Sequence, residues 1–129
     1  MIGGARRVER RDMKGRVVFH LHLKPGREAD FLRAYEAIRH NVAQGVPGHI
    51  VDQVCQSVDE PLDWLITSEW ESLDAFIEWE KTPEHRDLAK PMRDCWDEAK
   101  SHKFLVKLET GHEVGPKSAS DRDLPAPRL

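Results

Sequence analysis

Apolar residues in this chain recur first at every second position, then at helical spacing, and then twice more at every second position. Helical spacing returns after that, and the pattern ends on every second position. From Arg16 to Leu23, Val17, Phe19, Leu21 and Leu23 share one face of a strand, with Val18, His20 and His22 on the other. Lys24-Pro25-Gly26 ends that strand. Over Arg27 to Gln44, Phe31, Tyr35, Ile38 and Val42 form the stripe of an amphipathic helix, closed by Gly45 and then Val46-Pro47-Gly48. His49 to Ser57 and Asp63 to Trp70 read as two strands joined through Val58-Asp59-Glu60-Pro61-Leu62. Ser72 is an N-cap ahead of Leu73, Phe76 and Ile77. Thr82-Pro83 repeats the start signal ahead of Leu88, Met92 and Trp96, with a kink expected at Pro91. Lys103 to Leu108 alternates as a last strand. The order β-α-β-β-α-β is the split βαβ of an α+β, ferredoxin-like fold.

Two helices cover one face of a four-stranded sheet and leave the other to solvent or to a partner. Apolar residues stand on both faces of these strands: Phe19 against Val18, Val51 against Ile50, Ile66 against Leu65. That predicts a second copy on the open face and a symmetric homodimer. The domain spans 15–109. Residues 1–14, polar and rich in Gly and Arg, are expected to be a disordered arm. So are residues 110–129, where Pro116, Pro125 and Pro127 stand among Gly, Ser and charges.

The 129 residues hold 20 Lys+Arg against 23 Asp+Glu. This balance offers no basic stripe for a phosphate backbone, so nucleic acid is not an expected partner. No apolar run approaches the roughly 20 residues needed to span a bilayer. Residues 1–12 lack the apolar stretch of a secretory signal. Cys55 and Cys95 make no disulfide framework and read as free thiols. A cytoplasmic protein without membrane contact is the expectation.

His20 and His22 share a strand face at a spacing able to ligate a metal, but no Cys or carboxylate pattern completes the set, so no metal is expected. Neither G-x-S-x-G nor a glycine-rich phosphate loop occurs. Aromatic placement is more informative. Trp64 and Trp70, six apart, share a strand face with Ile66 and Ser68, and Trp79 lies on the following helix. Indole rings give apolar walls and one donor each, which suits a flat polycyclic ligand held between sheet and helices.

The stretch Ser68-Glu69-Trp70-Glu71-Ser72-Leu73-Asp74-Ala75-Phe76, with Trp79 and Pro83-Glu84-His85, resembles the antibiotic biosynthesis monooxygenase family. That family's recurring pattern is a strand ending E-x-W, a short helix opening S-x-x-A-[FY] and a nearby His. Lys24-Pro25-Gly26 with Phe31, and Val46-Pro47-Gly48, resemble its first helix boundaries. The resemblance covers residues 15–109 and implies a dimeric ferredoxin-like α/β barrel. Its haem-degrading branch uses a first-strand Asn, a Trp on the second helix and a haem-ligating His ten residues later. Trp79 matches, but Ala89 stands at the His position and the chain's one Asn, Asn41, ends the first helix, which sets haem aside. The branch that oxidises anthrones and naphthacenones has a strand Trp matched by Trp70, an aromatic matched by Phe76 and a basic residue matched approximately by Lys90. Its Asn four residues before the strand Trp is Ile66 here.

By this resemblance the chain is expected to be a small cofactor-independent monooxygenase. It would use O2 to oxidise a polycyclic aromatic polyketide, anthrone or phenol to quinone, in antibiotic or spore-pigment biosynthesis. His85, His20 and His22 are the candidate bases, because imidazole titrates near neutral pH. Trp70, Trp79, Trp64 and Phe76 are candidate wall residues; Lys90 and Arg86 are candidates for stabilising a substrate oxyanion. Three alternatives stay open. They are a polyketide cyclase or aromatase without oxygen chemistry, a related oxygenase that borrows diffusible reduced flavin, and a non-catalytic barrel that binds aromatics.

Overall fold

The computed structural model describes residues 13–111. The arms expected over 1–14 and 110–129 lie, except for two residues each, outside the described residues. The elements follow as β1 (Gly15–Leu23), α1 (Glu28–Ala43), β2 (His49–Gln56), β3 (Asp63–Trp70), α2 (Leu73–Glu80), α3 (Pro83–Arg93) and β4 (Trp96–Leu105). The sheet is antiparallel with strand order β2-β3-β1-β4, the α+β, ferredoxin-like arrangement that the sequence predicts.

The helices lie on one face because each carries one apolar stripe. On α1 the stripe of Phe31, Tyr35, Ile38 and Val42 is buried, and with Leu21, Leu23, Trp64, Met92 and Cys95 it forms the larger core cluster. Val17, Trp70, Leu73 and Phe76 form the smaller one beneath α2. Both predicted caps are made. Ser72 Oγ accepts the Ala75 N–H at 3.2 Å, and Thr82 Oγ1 accepts the His85 N–H at 3.1 Å with Pro83 next in the chain. These bonds satisfy helix-start donors that would otherwise be unpaired. The start of β1 runs tightly under α2: a Cβ on Gly15 would lie 2.7 Å from Leu73 Cα.

Two expectations at the C-terminal end are corrected. Trp96 does not continue the α3 stripe, and the last strand begins at Trp96 instead of Lys103. The helix runs through Pro91 and stops at Arg93, where the Cys95 N–H bonds Met92 O and the Lys24 N–H takes Cys95 O, both at 2.9 Å. β4 then pairs with β1 along its whole length, from Trp96 opposite Leu23 to Leu105 opposite Gly15. It is an edge strand held by its backbone ladder, and the polar side chains of 97–103 are exposed. A strand with so little buried surface shows no alternation to read.

The outer sheet face mixes charge with apolar groups. Val18, His20 and His22 stand there opposite Thr67, Leu65 and Asp63 of β3 and opposite His102, Lys100 and Glu98 of β4. His22 Nδ1 lies 2.9 Å from Asp97 Oδ1, and that hydrogen bond raises the imidazole above its usual pKa. At the two edges Val51 is 41% exposed and Phe104 53%.

Candidate active site

A cavity of about 280 Å³ lies between the helix-covered face of the sheet and the three helices. Its walls are apolar: Phe19 and Ile66 from the sheet, Phe76 and Trp79 from α2, Met92 from α3 and Trp96 from β4. That size is near the lower limit of ligand pockets, about 300–1,000 Å³, and suits a compact flat molecule better than a long chain. Polar groups sit at three places, one of them Ser101 on β4. His85, Arg86, Arg93 and Glu80 stand on the α2–α3 side, and Tyr35, Asp52 and Ser68 on the α1–β2 side. A wider groove of about 900 Å³ runs outside, between α1 and β2, and shares Tyr35 and Asp52 with the cavity. Arg33, Glu36 and Arg39 line that groove and it is open to solvent, so the smaller and more enclosed cavity is the better site for chemistry.

The Thr82 cap sets the first turn of α3 and thereby the position of His85. The imidazole packs edge-on against Trp79, ring centroids 4.5 Å apart. Burial is the main influence on it and pushes its pKa below the usual value; Glu80 opposes the shift and Arg93 adds to it. The ring is therefore neutral at pH 7 and carries a free lone pair. Trp79 is also tilted against Trp70 at 5.7 Å, and its buried indole N–H has no acceptor among the described residues. The wall thus holds one unspent donor.

Of the residues singled out from sequence, His85, Trp79, Phe76 and Arg86 come together around the cavity. The other five do not reach it. Trp70 is fully buried behind the wall, its Nε1–H donating to Ser68 Oγ at 2.8 Å and its ring braced by Phe76 at 5.3 Å. Trp64 is core: its Nε1–H donates to Pro61 O at 3.0 Å and its ring meets Phe31 edge-on. Lys90 is exposed on α3, and His20 and His22 lie on the outer sheet face. The structure adds Trp96, Arg93, Tyr35 and Asp52 to the cavity. Tyr35 hydroxyl donates to Asp52 Oδ2 at 2.7 Å, and His49 Nε2 lies 2.7 Å from Asp52 Oδ1. Burial first, and then the Asp52 charge, hold the Tyr35 phenol well above its usual pKa, so it stays protonated. An acid on the inward face of a strand asks for partners, but the bulge between His49 and Val51 shifts the register and hides which face Asp52 takes.

A ferredoxin-like sheet, helices over one face and an aromatic-walled cavity beneath them define a small α+β domain. This chain belongs to the antibiotic biosynthesis monooxygenase family, whose sequence model matches residues 15–91. It is 42% identical over 114 residues to the 42.8 kDa protein in the whiE locus of Streptomyces coelicolor, covering 88% of this chain and 28% of that protein. It is 39% identical over 85 residues to polyketide synthase CurD of Streptomyces cyaneus, covering 66% of this chain and 22% of that protein. The chain thus spans less than a third of the length of these curated relatives. Among solved structures, a point mutant of SnoaB, a cofactor-independent oxygenase from Streptomyces nogalater, shares the fold. Its TM-score is 0.63 at 16% identity, covering 81% of this chain and 98% of that one.

Proposed function

We propose that this domain oxidises a flat polycyclic aromatic polyketide with O2 and needs no haem, flavin or metal. The observation that carries the reading is a neutral, half-buried His85 set edge-on to Trp79 in the wall of an aromatic cavity. Family membership and a relative named as a polyketide synthase, CurD, support the substrate class. SnoaB, of the same fold, is itself a cofactor-independent oxygenase. His85 removes a proton from an electron-rich ring carbon or phenol. The resulting anion gives one electron to O2, and the two radicals join at carbon to form a peroxide. The proton held by His85 goes to the peroxide, whose O–O bond breaks. One oxygen stays as the quinone carbonyl and the other leaves as water with the proton returned by His85 and the hydrogen remaining on that carbon. Arg86 stabilises the negative oxygen of the intermediate.

Oxygen uptake by metal-stripped protein given dithranol, a model anthrone, tests this. Uptake without additions, with one new oxygen atom in the product, is the expected result. Binding without uptake, uptake that requires added reduced flavin, or a cyclised product lacking new oxygen would each overturn it.

The domain acts as a homodimer in this reading, with a second copy over the outer sheet face, in the cytoplasm. Light scattering is expected to return twice the chain mass, and a monomer at micromolar concentration would remove the dimer.

A further inference from the structure

The α1–β2 end of the cavity carries a second assignment, which rests on the reading that a flat aromatic ligand enters there. Asp52 stands on β2 opposite Ser68 of β3. Its carboxylate takes one hydrogen bond from the Tyr35 hydroxyl and one from His49, each at 2.7 Å. An ionised carboxylate offers about four lone-pair positions, so about two are unspent. The hydrogen of Tyr35 is committed to Asp52, so its oxygen also meets the cavity as an acceptor. Both anchors are themselves fixed. Tyr35 is buried in the α1 stripe, and the His49 ring packs edge-on against Trp70 at 5.0 Å. Tyr35 and Asp52 line the cavity and the outer groove alike, and so form the partition between them, whereas His49 lines the groove alone.

We propose that Asp52 is a specificity-determining binding residue: its unspent lone pairs receive a free hydroxyl of the aromatic ligand and so set which end of the ring system lies toward α1 and β2. The reacting end is then directed to His85 and the cations Arg86 and Arg93 on α3. A ligand with an ether or carbonyl oxygen at that end offers only lone pairs to a carboxylate and is rejected. The Ser68 hydroxyl opposite Asp52, whose oxygen already accepts from Trp70, is a single neutral donor and does not offset that repulsion.

Calorimetry with 2-naphthol and its methyl ether, 2-methoxynaphthalene, reads this without any turnover. In the ether a methyl group replaces the hydroxyl hydrogen and so removes the donor, and a phenol of this type is protonated at pH 7. Wild type is expected to bind the naphthol about tenfold tighter or more, the preference given by a hydrogen bond to a charged group. Asp52→Asn should reduce that ratio, and the double variant Tyr35→Phe/Asp52→Leu should bring it near one while keeping affinity for the ether. Exchanging Tyr35 and Asp52 together leaves no buried hydroxyl unpaired. His49, which loses its carboxylate partner, lines the open groove, where water replaces it. The double variant is therefore expected to fold where a single exchange would strand a buried hydroxyl. Equal binding by wild type, or a ratio that survives in the double variant, would overturn the assignment. A merely structural Asp52 would weaken both ligands alike and leave the ratio intact, which also overturns it. Hydroxyl preference without oxygen uptake removes the oxygenase reading and upholds this anchor; uptake without preference does the reverse.

Discussion

His85→Ala is expected to lower turnover of a model anthrone by about 10²- to 10⁴-fold, the usual worth of a positioned general base, with naphthol binding little changed. The pH profile gives a second readout. The base must be neutral to act, and burial lowers its pKa from the ordinary 6.5. Wild-type activity should therefore hold down to pH 6.5 and fall only at lower pH, as the folded imidazole takes up its proton. Any residual activity of the variant should lack that acidic limb. The same shift acts on stability in the same direction. Below pH 6.5 the unfolded chain binds a proton that the folded ring resists, so stability is lost as pH falls from 6.5 through the folded pKa. Turnover in His85→Ala equal to wild type would remove this residue from the mechanism.

Gly15→Ala should produce a large loss of stability from a single methyl group. The added carbon would sit 2.7 Å from Leu73 Cα and 2.9 Å from Leu73 N, and these are backbone atoms that cannot move aside as a flexible side chain would. The cost expected is about 3 kcal/mol, a drop in Tm on the order of 10 °C or more for a domain of this size. Gly26→Ala is the control. Its φ of +80° strains a side chain, but nothing lies within 4 Å, so about 1 kcal/mol is expected. Thermal unfolding of the two variants side by side decides the matter; equal losses would mean that the contact with α2 has no special weight. Since α2 carries Phe76 and Trp79, Gly15→Ala should also weaken aromatic binding.

What could be read in the sequence follows how much surface each element buries. α1 shows its four inward residues because one face is wholly covered, and the bounds of β3 are found because both Trp64 and Trp70 are buried. β4 escapes because its side chains between Trp96 and Leu105 are exposed and its ladder to β1 leaves no mark in residue type. The site divides the same way. His85, Trp79 and Phe76 are visible as chemistry-bearing residues beside helix-start signals. Strand parity already sets His20 and His22 on the face opposite Val17 and Leu21, away from the helices. The partnership of Tyr35, His49 and Asp52 is a product of the fold, joining α1 to a bulged strand. No spacing rule connects residues on separate elements.

Lys14 bonds Glu109 at 3.0 Å and Glu69 at 3.1 Å, and Lys14 O accepts the Val106 N–H at 2.9 Å. The points where the backbone enters and leaves the fold are therefore side by side. A domain clasped in this manner can be threaded into a longer polypeptide, or joined to neighbours at either side, without prying its sheet apart. Relatives several times its length are compatible with such modular use. Excision at the clasp, rather than inside β1 or β4, is the cut that keeps the cavity whole.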